Sequence, residues 1–253
     1  MLVSHIPCDV LKPYVKTFVI TESDEESVYK IFPGTEVVMG FQYQGSLSRL
    51  EQGKPLPLAA AGITGLLDSY RIFKNSGNTG TVLVYFSPGG AARFFRQPIH
   101  ELFAESVSLD NFILRSEVLV LEEQLQETVT DAGRISVVEQ FLISRMNSVA
   151  PDPLVLNALA LIHQSKGNIR IKALAAQLHT SQSPLEKKFR QAVGTSPKKF
   201  AAIVRFKHVL HQYDPHQPLG GLGYEAGFYD QAHFIKTFKT FTGETPETFF
   251  GQS

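Results

Sequence analysis

The sequence predicts an α+β protein with two domains, a β-rich N-terminal domain and an all-α C-terminal domain. Short apolar or alternating runs separated by turn residues fill residues 14–86, which is typical of strands. From Leu154 onward, apolar residues recur every three and four positions, as on one face of a helix. Charge divides at the same place, because residues 154–253 carry 12 basic and 6 acidic side chains, against 12 and 18 before them.

Many short strands with little helix between them indicate that the N-terminal domain, residues 1–146, is a cupin-like β-barrel or sandwich. The strand candidates are YVKTFVI, EVVMGFQY and TVLVYF, and clusters such as PGTE and KNSGNTG mark the turns. After SPGG at residues 87–90, the stretch AARFFRQPI predicts a short helix. Residues 117–146 predict amphipathic helices packed against the strands. We expect this domain to sense an effector or to dimerise.

The stretch NSVAPDP, residues 147–153, predicts a linker because it is polar and holds two prolines. Residues 154–253 then predict helices throughout, and Gly167 and Gly194 stand where two of these helices should end. The basic excess of this half makes a polyanion such as nucleic acid its natural partner, although charge alone leaves that open.

An internal repeat occupies the basic half. The segment FRQAVGTSP at residues 189–197 matches FKTFTGETP at residues 238–246 with a constant offset of 49 residues. An upstream match at an offset of 48 pairs Ala175 with Gly223, and the one-residue difference falls at a turn, where it leaves the buried faces of the helices unchanged. Each copy predicts a helix, a turn and a second helix, which is the helix-turn-helix pattern of DNA-binding proteins.

The two predicted units span about residues 171–194 and 219–243, and one helix over about residues 197–213 joins them. The small residues Ala175 and Gly223 would let the helices of each unit cross closely. If both units dock on one face of a duplex, the two groove segments that they contact should lie about 34 Å apart, one helical turn.

The second helix of each unit carries the candidate DNA contacts. In the second unit, Phe234, Phe238 and Phe241 should face the interior, and Asp230 should cap the helix, as Ser181 should in the first unit. Amides pair with adenine, cationic donors with guanine, carboxylates with cytosine, and alanine touches a thymine methyl. The predicted base contacts are Gln182, Ser183, Glu186 and Lys187 in the first unit and Gln231, Ala232, His233 and Lys236 in the second. The predicted backbone contacts are Ser181, Arg190, Lys198, Lys199 and Lys239.

A polar stripe opposite a phenylalanine stripe is, on a single helix, usually only a solvated face. The duplication favours DNA binding, because two separate helices repeat both the apolar frame and the exposed Gln and Lys positions. Which individual side chain contacts a base stays open.

The sequence resembles the AraC/XylS family of bacterial transcription regulators over roughly 100 residues. The resemblance is carried by LAAQLHTSQSPLEKKFRQAVGTSP, by Arg205 at the start of the family's linker-helix motif, and by GYEAGFYDQAHFIKTFKTFTGETP. It implies a monomeric seven-helix DNA-binding domain whose two helix-turn-helix units occupy consecutive major-groove segments. The segments IFPGTEVVMGF, YFSPGGAARFF and ELFAESVSLDN resemble sensor-like domains attached to some of these regulators, and this likeness implies no particular ligand.

The chain departs from the family pattern in two ways. Gly220, Gly221 and Gly223 crowd a predicted helix, and each glycine costs up to about 1 kcal/mol relative to alanine in a helix interior. The family often has arginine where Lys187 and Lys236 stand, and lysine presents a point charge instead of a planar fork. Both departures predict weaker or more relaxed base readout.

The N-terminal domain leaves three interpretations open. A small-molecule effector site would be lined by aromatic residues of the strand region, which would otherwise simply fill the core. These residues are Phe32, Phe41, Tyr43, Tyr70 and Phe86. Residues 117–146 could instead pack on a second copy to form a homodimer, or cover the strands within one chain. An activator of this family would also contact RNA polymerase.

Catalysis is the rival from another class, in the form of a cupin-like enzyme with an attached DNA-binding domain. A metal-dependent barrel enzyme needs two or three histidines with a carboxylate on facing strands, whereas this domain holds only His5 and His100, outside the strand-like runs. Cys8 is the single cysteine, and neither a nucleophile elbow nor a phosphate loop is present. We therefore expect no catalytic residue, metal or cofactor, no membrane span, and a cytoplasmic location.

Overall fold

The computed structural model describes residues 1–148, 150–214, 219–228 and 230–251. The predicted linker at 147–153, the second predicted unit at 219–243 and the C-terminal domain each include positions outside these described residues. The strands are β1 (Leu2–His5), β2 (Val15–Ser23), β3 (Ser27–Ile31), β4 (Val38–Gln44), β5 (Leu47–Glu51), β6 (Lys54–Pro57), β7 (Ala61–Thr64), β8 (Arg71–Asn75), β9 (Thr79–Phe86) and β10 (Ser106–Ser108).

The strands form two antiparallel sheets. The larger has the order β1-β2-β9-β4-β7-β10 and the smaller has the order β3-β8-β5-β6. Alternating side chains give each strand an inner and an outer face. In β4, Met39, Phe41 and Tyr43 are buried while the residues between them stay partly exposed. No strand of the described residues belongs to both sheets, so the barrel is not closed and the domain is a sandwich. The predicted α+β class with two domains is confirmed.

Helices cover the larger sheet on one side. The predicted helices over residues 117–146 are found as α1 (Arg115–Glu127) and α2 (Asp131–Arg145). Thr130 begins α2, because its hydroxyl accepts a hydrogen bond from the Gly133 N–H at 3.2 Å. From α2, Phe141 meets Phe41 of β4 edge to face at 6.1 Å between ring centroids.

Three short 3₁₀ helices connect the sheets to α1, at Gly90–Arg93, Ile99–Leu102 and Leu109–Asn111. The prediction of a short helix over AARFFRQPI is met only by the first of them. Pro98, the residue before the second 3₁₀ helix, has an extended ψ of 127°, so the first helix does not continue into the second.

The C-terminal domain is helical. Its helices are α3 (Pro153–Gln164), α4 (Ile171–Gln177), α5 (Gln182–Val193), α6 (Pro197–Gln212), α7 (Leu219–Glu225), α8 (Gln231–Thr242) and α9 (Pro246–Gly251). Asp152 caps α3 by accepting from the Leu154 N–H at 2.9 Å, and Ser196 caps α6 by accepting from the Lys199 N–H at 3.3 Å. Gly167 and Gly194 adopt positive φ angles after α3 and α5, which confirms the predicted helix ends.

The two domains pack directly on each other, and their buried apolar side chains form one continuous cluster. Glu36, in the loop before β4, lies 2.7 Å from Lys16 Nζ and 3.3 Å from Lys207 Nζ of α6. Phe32 of the same loop contacts Phe249 of α9 edge to face at 5.5 Å. None of the described helices is both long and apolar enough to cross a bilayer.

Candidate nucleic-acid interface

The helix α5 separates an apolar face from a polar one. Leu185, Phe189 and Val193 are buried at spacings of four, so the side chains between them must face outward. Ser181 occupies the N-cap position, as predicted, but its side chain makes no capping hydrogen bond. The predicted base contacts of this unit are all exposed: Gln182, Ser183, Glu186 and Lys187.

The helix α8 repeats this arrangement. Phe234, Phe238 and Phe241 are buried, which confirms the predicted apolar stripe. Asp230 is the N-cap, and its carboxylate accepts from the His233 N–H at 2.7 Å. The predicted base contacts of this unit are likewise exposed: Gln231, Ala232, His233 and Lys236. The eight residues of the two units are called the reading positions below, and in both helices they lie in the first two turns.

Each unit packs its first helix closely against its second. A side-chain carbon placed on Gly223 of α7 would lie only 2.8 Å from Cγ of Phe234 in α8. In the first unit, Ala175 of α4 is buried at the equivalent position, next to the buried Leu174. Small residues at these two positions therefore set how closely the helices cross, as the repeat predicts.

Arg205 ties α6 to the turn after α3 and to the second unit. Its Nη2 donates to the Gly167 carbonyl at 2.7 Å, and its Nη1 donates to the Gly227 carbonyl at 3.5 Å. The guanidinium also lies 5.2 Å from the ring centroid of Phe228, and burial lowers the pKa of Arg205 below its ordinary value. Sequence reasoning noted Arg205 only through the family resemblance and missed this role, since its carbonyl partners lie 38 and 22 residues away.

The positive charges near the reading positions differ in their partners. Among the described residues, no ion pair involves Lys187, Lys198, Lys236 or Lys239, and all four side chains are exposed. Arg190, by contrast, lies 3.8 Å from Glu186 on its own helix.

Lys199 faces the N-terminal domain. Its ammonium lies 3.1 Å from Asp68 and 4.3 Å from the ring centroid of Phe103. Of the predicted backbone contacts, Lys198 and Lys239 are therefore the cations that the fold leaves available, because neither has an acidic partner among the described residues.

The five aromatics predicted to line an effector pocket lie in separate places. Phe41 and Phe86 are buried in the sandwich core, where Phe86 packs on Phe94 at 5.4 Å. The ring of Tyr43 lies under the Arg134 guanidinium at 3.8 Å, and its hydroxyl donates to Glu22 at 2.8 Å.

The remaining two aromatics of that set, Phe32 and Tyr70, sit at the contact between the domains. The structure thus does not bring the five together around one cavity. It does contain a cavity of about 400 Å³ between α1 and α2, lined by side chains that include Val120, Val137 and Phe141. Val120 is 52% exposed on α1, and sequence reasoning recorded only that this helical stretch could pack on another surface.

The potential metal ligands of the N-terminal domain are scattered. Among the residues that the structure describes, no three His, Cys, Asp or Glu side chains come together in a way that could hold a metal ion. His5 is the last residue of the edge strand β1, so the expectation that it lies outside the strands is wrong, and His100 lies in the second 3₁₀ helix.

Two family models match the chain. Residues 174–252 match a helix-turn-helix domain, and residues 3–108 match a domain of unknown function (DUF6597). The chain is 27% identical over 118 residues to the Msm operon regulatory protein of Streptococcus mutans, covering 45% of this chain and 42% of that protein. It is 30% identical over 124 residues to the arabinose operon regulatory protein of Escherichia coli, covering 46% and 42%.

The chain therefore spans less than half the length of the curated relatives that it matches. Among solved structures, ToxT from Vibrio cholerae aligns over 92% of this chain and 97% of that chain, with 12% sequence identity and a TM-score of 0.46.

Proposed function

We propose that the chain is a regulator of the AraC type that binds DNA sequence-specifically and regulates transcription, on the basis of its helix-turn-helix match and its likeness to the arabinose operon regulatory protein. The observation that carries the proposal is the exposure of all eight reading positions in two copies of the same unit. The N-terminal part of such a helix is the part that enters the major groove, where base edges can be distinguished.

Unpaired cations beside these helices support the same function. Lys198 lies in the first turn of α6, next to the first unit, and Lys239 lies one turn beyond the reading positions of α8. Lysines without acidic partners can neutralise phosphates, and each neutralised phosphate releases counterions and makes binding depend on salt.

Footprinting on genomic DNA tests the proposal. We expect protection of two groove segments about one helical turn, roughly 34 Å, apart. The affinity for that site should exceed the affinity for random DNA by at least roughly 10³-fold at physiological salt. Equal affinity for the site and for random duplexes of the same length would contradict sequence-specific regulation.

We assign the N-terminal domain the role of an input module that responds to a small-molecule effector or to dimerisation. The cavity between α1 and α2 is the candidate place for an effector, since about 400 Å³ is enough for a small ligand; it is open to solvent, and its lining includes polar side chains such as Gln124 and Arg145. The exposed Val120 and Leu119 on α1 support the dimer alternative. A ligand at 100 times its dissociation constant should add about 2.7 kcal/mol of stability, whereas mass measurement in solution reports dimers directly.

The proposed setting is the cytoplasm, where the protein would meet both DNA and, if it activates, RNA polymerase. We infer no enzymatic activity. A cupin-like enzyme with an attached DNA-binding domain is the alternative, and stoichiometric iron, zinc or manganese in the purified protein would favour it.

A further inference from the structure

The second helices of the two units, α5 and α8, are called the recognition helices below. Both contact the N-terminal domain through their C-terminal ends. The helix α5 ends at Gly194 with φ 99°, and α8 ends at Gly243 with φ 84°. A side-chain carbon at Gly194 would lie 3.0 Å from Cγ2 of Ile99, and one at Gly243 would lie 2.8 Å from the ring of Tyr70. Because the two glycines are 49 residues apart, the repeated units dock on the same body by equivalent points.

An ion pair and an aromatic contact flank each of these points. Beside Gly194, the Lys199 ammonium lies 3.1 Å from Asp68 and 4.3 Å from the ring centroid of Phe103. These contacts form the first anchor.

Beside Gly243, Glu244 pairs with Lys30, whose ammonium also lies 5.6 Å from the ring centroid of Tyr70. Phe249 then packs on Phe32 at 5.5 Å between ring centroids. These contacts form the second anchor. In both anchors contacting residues of the helical domain lie in the helix that follows α5 or α8, Lys199 in α6 and Phe249 in α9.

The anchors and the reading positions lie at opposite ends of the recognition helices. In α5 and α8 the reading positions occupy the first two turns and are exposed, while the anchors begin at the C-cap glycines. Docking on the N-terminal domain therefore leaves the DNA-contacting ends of both helices open to solvent.

The helix α6 already packs on both units, through Phe200 against Phe189 and through Phe206 against Phe238. The anchors add a second set of contacts, because they hold both units against one further body, the N-terminal domain. Lys207 adds a third contact between α6 and the N-terminal domain, since its ammonium lies 3.3 Å from Glu36.

We propose, resting on the DNA-binding function above, that the N-terminal domain is a splint that holds the two recognition helices at one separation and rotation. The splint thereby determines which spacing between the two base-pair groups the protein accepts. Lys30, Phe32, Tyr70, Asp68 and Phe103 are its positioning residues. They contact no DNA themselves, and they act on site selection only through the geometry of the two units.

Distances between spin labels test the splint without DNA. Labels at Gln191→Cys and Thr240→Cys, in a Cys8→Ser background, report on exposed and equivalent positions of α5 and α8. We expect one narrow distance distribution in the labelled parent and a broadened or shifted one after Lys30→Glu, which faces Glu244 with a like charge. The double change Lys30→Glu with Glu244→Lys should restore the narrow distribution.

Lys74→Glu is the matched control, because Lys74 pairs with Glu26 inside the N-terminal domain and is 35% exposed, against 37% for Lys30. It should leave the distribution unchanged. Phe32→Ala removes the aromatic half of the same anchor and should act like Lys30→Glu. A parent-like distribution in both Lys30→Glu and Phe32→Ala, with unfolding still cooperative, would overturn the splint.

Binding to duplexes with varied spacing supplies the second readout. The parent should prefer one spacing by roughly tenfold, the size of one lost base-pair match, over sites shifted by about five base pairs. Lys30→Glu should reduce that preference to less than threefold, and the charge swap should restore it. Unaltered spacing preference in Lys30→Glu counts against the splint. A parent with no sequence preference at all contradicts the DNA function instead, and the label distances then decide the splint by themselves.

Discussion

At the scale of single residues, the predicted DNA contacts differ in whether their side chains already have partners within the protein. Gln231 and Lys236 are exposed on α8, and none of the ion pairs among the described residues involves Lys236. Lys199 has an acidic partner and an aromatic one in the other domain, although its neighbour Lys198 has neither. Adjacent residues of identical type therefore have different surroundings, which charge counting along the sequence does not separate.

Gln231→Ala and Lys236→Ala should each weaken specific binding by about 1–3 kcal/mol if the side chain makes a good base contact. The physical reason is the loss of hydrogen bonds to a base edge in the groove. Titration of the footprinted site against a site with one changed base pair measures the effect. Thr240→Ala, on the exposed C-terminal part of α8, is the control, and unchanged affinity and sequence preference in both variants would place the reading face elsewhere.

Lys198→Ala should weaken binding to all sequences alike and lower the salt slope by about one counterion. Lys199→Ala should change the salt slope less, because its ammonium is held by Asp68 at 3.1 Å and not by a phosphate. Binding measured at a series of salt concentrations separates the two lysines. Equal slopes in both variants would show that Lys199 leaves Asp68 when DNA binds.

At the scale of elements, the crossing of α7 and α8 explains a feature that sequence reasoning interpreted as a weakness. Gly223 costs helix propensity, but a side-chain carbon there would lie 2.8 Å from Phe234. Gly221 is exposed on the same helix. The two glycines of one short helix thus have opposite consequences for substitution.

Gly223→Ala should lower the free energy of unfolding, since overpacking costs about 1–3 kcal/mol and alanine returns at most about 1 kcal/mol of helix propensity. Gly221→Ala should raise the free energy of unfolding by up to about 1 kcal/mol, because Gly221 is exposed and alanine favours the helix. Denaturant titration of both variants measures the difference. Stabilisation by Gly223→Ala would mean that α7 and α8 separate more easily than their packing indicates.

The elements of the helical domain could be predicted because burial repeats every three to four residues in them. Leu185, Phe189 and Val193 reveal the inner face of α5 without any knowledge of its neighbours. The anchors could not be predicted in this way. Phe32 and Tyr70 are aromatic residues of a strand-rich region, and the sequence does not record that another domain, and not a ligand, covers them.

At the scale of the whole molecule, Glu36 joins the two domains electrostatically. Burial acts to raise the pKa of its carboxyl group, but the hydrogen bond from Lys16 and the charge of Lys207 outweigh burial, and the pKa ends below its ordinary value. The Thr35 N–H also donates to this carboxylate at 2.9 Å. One acidic side chain therefore pairs with a lysine from each domain.

A carboxyl group with a lowered pKa in the folded state stabilises the protein fully above its unfolded-state value, and this stabilisation is lost as the pH falls through the folded-state value. The wild-type free energy of unfolding should therefore fall in acid more steeply than that of Glu36→Gln. Denaturant titrations at pH values from neutral to acidic measure both. Parallel pH profiles would contradict a charged Glu36 between the two lysines. His163, whose pKa is lowered by burial and then by Lys207 but raised by Glu36, contributes at higher pH, and its pKa should be lowered further in Glu36→Gln.

The helix α6 runs without interruption from Pro197 to Gln212. Each residue added to an α-helix turns everything beyond it by about 100° and moves it by about 1.5 Å. A one-residue insertion would consequently swing α8 to a different side of the duplex and pull Lys207 away from Glu36. Any change in the length of α6 would therefore have to be matched by a change in the contacts that hold both units against the N-terminal domain.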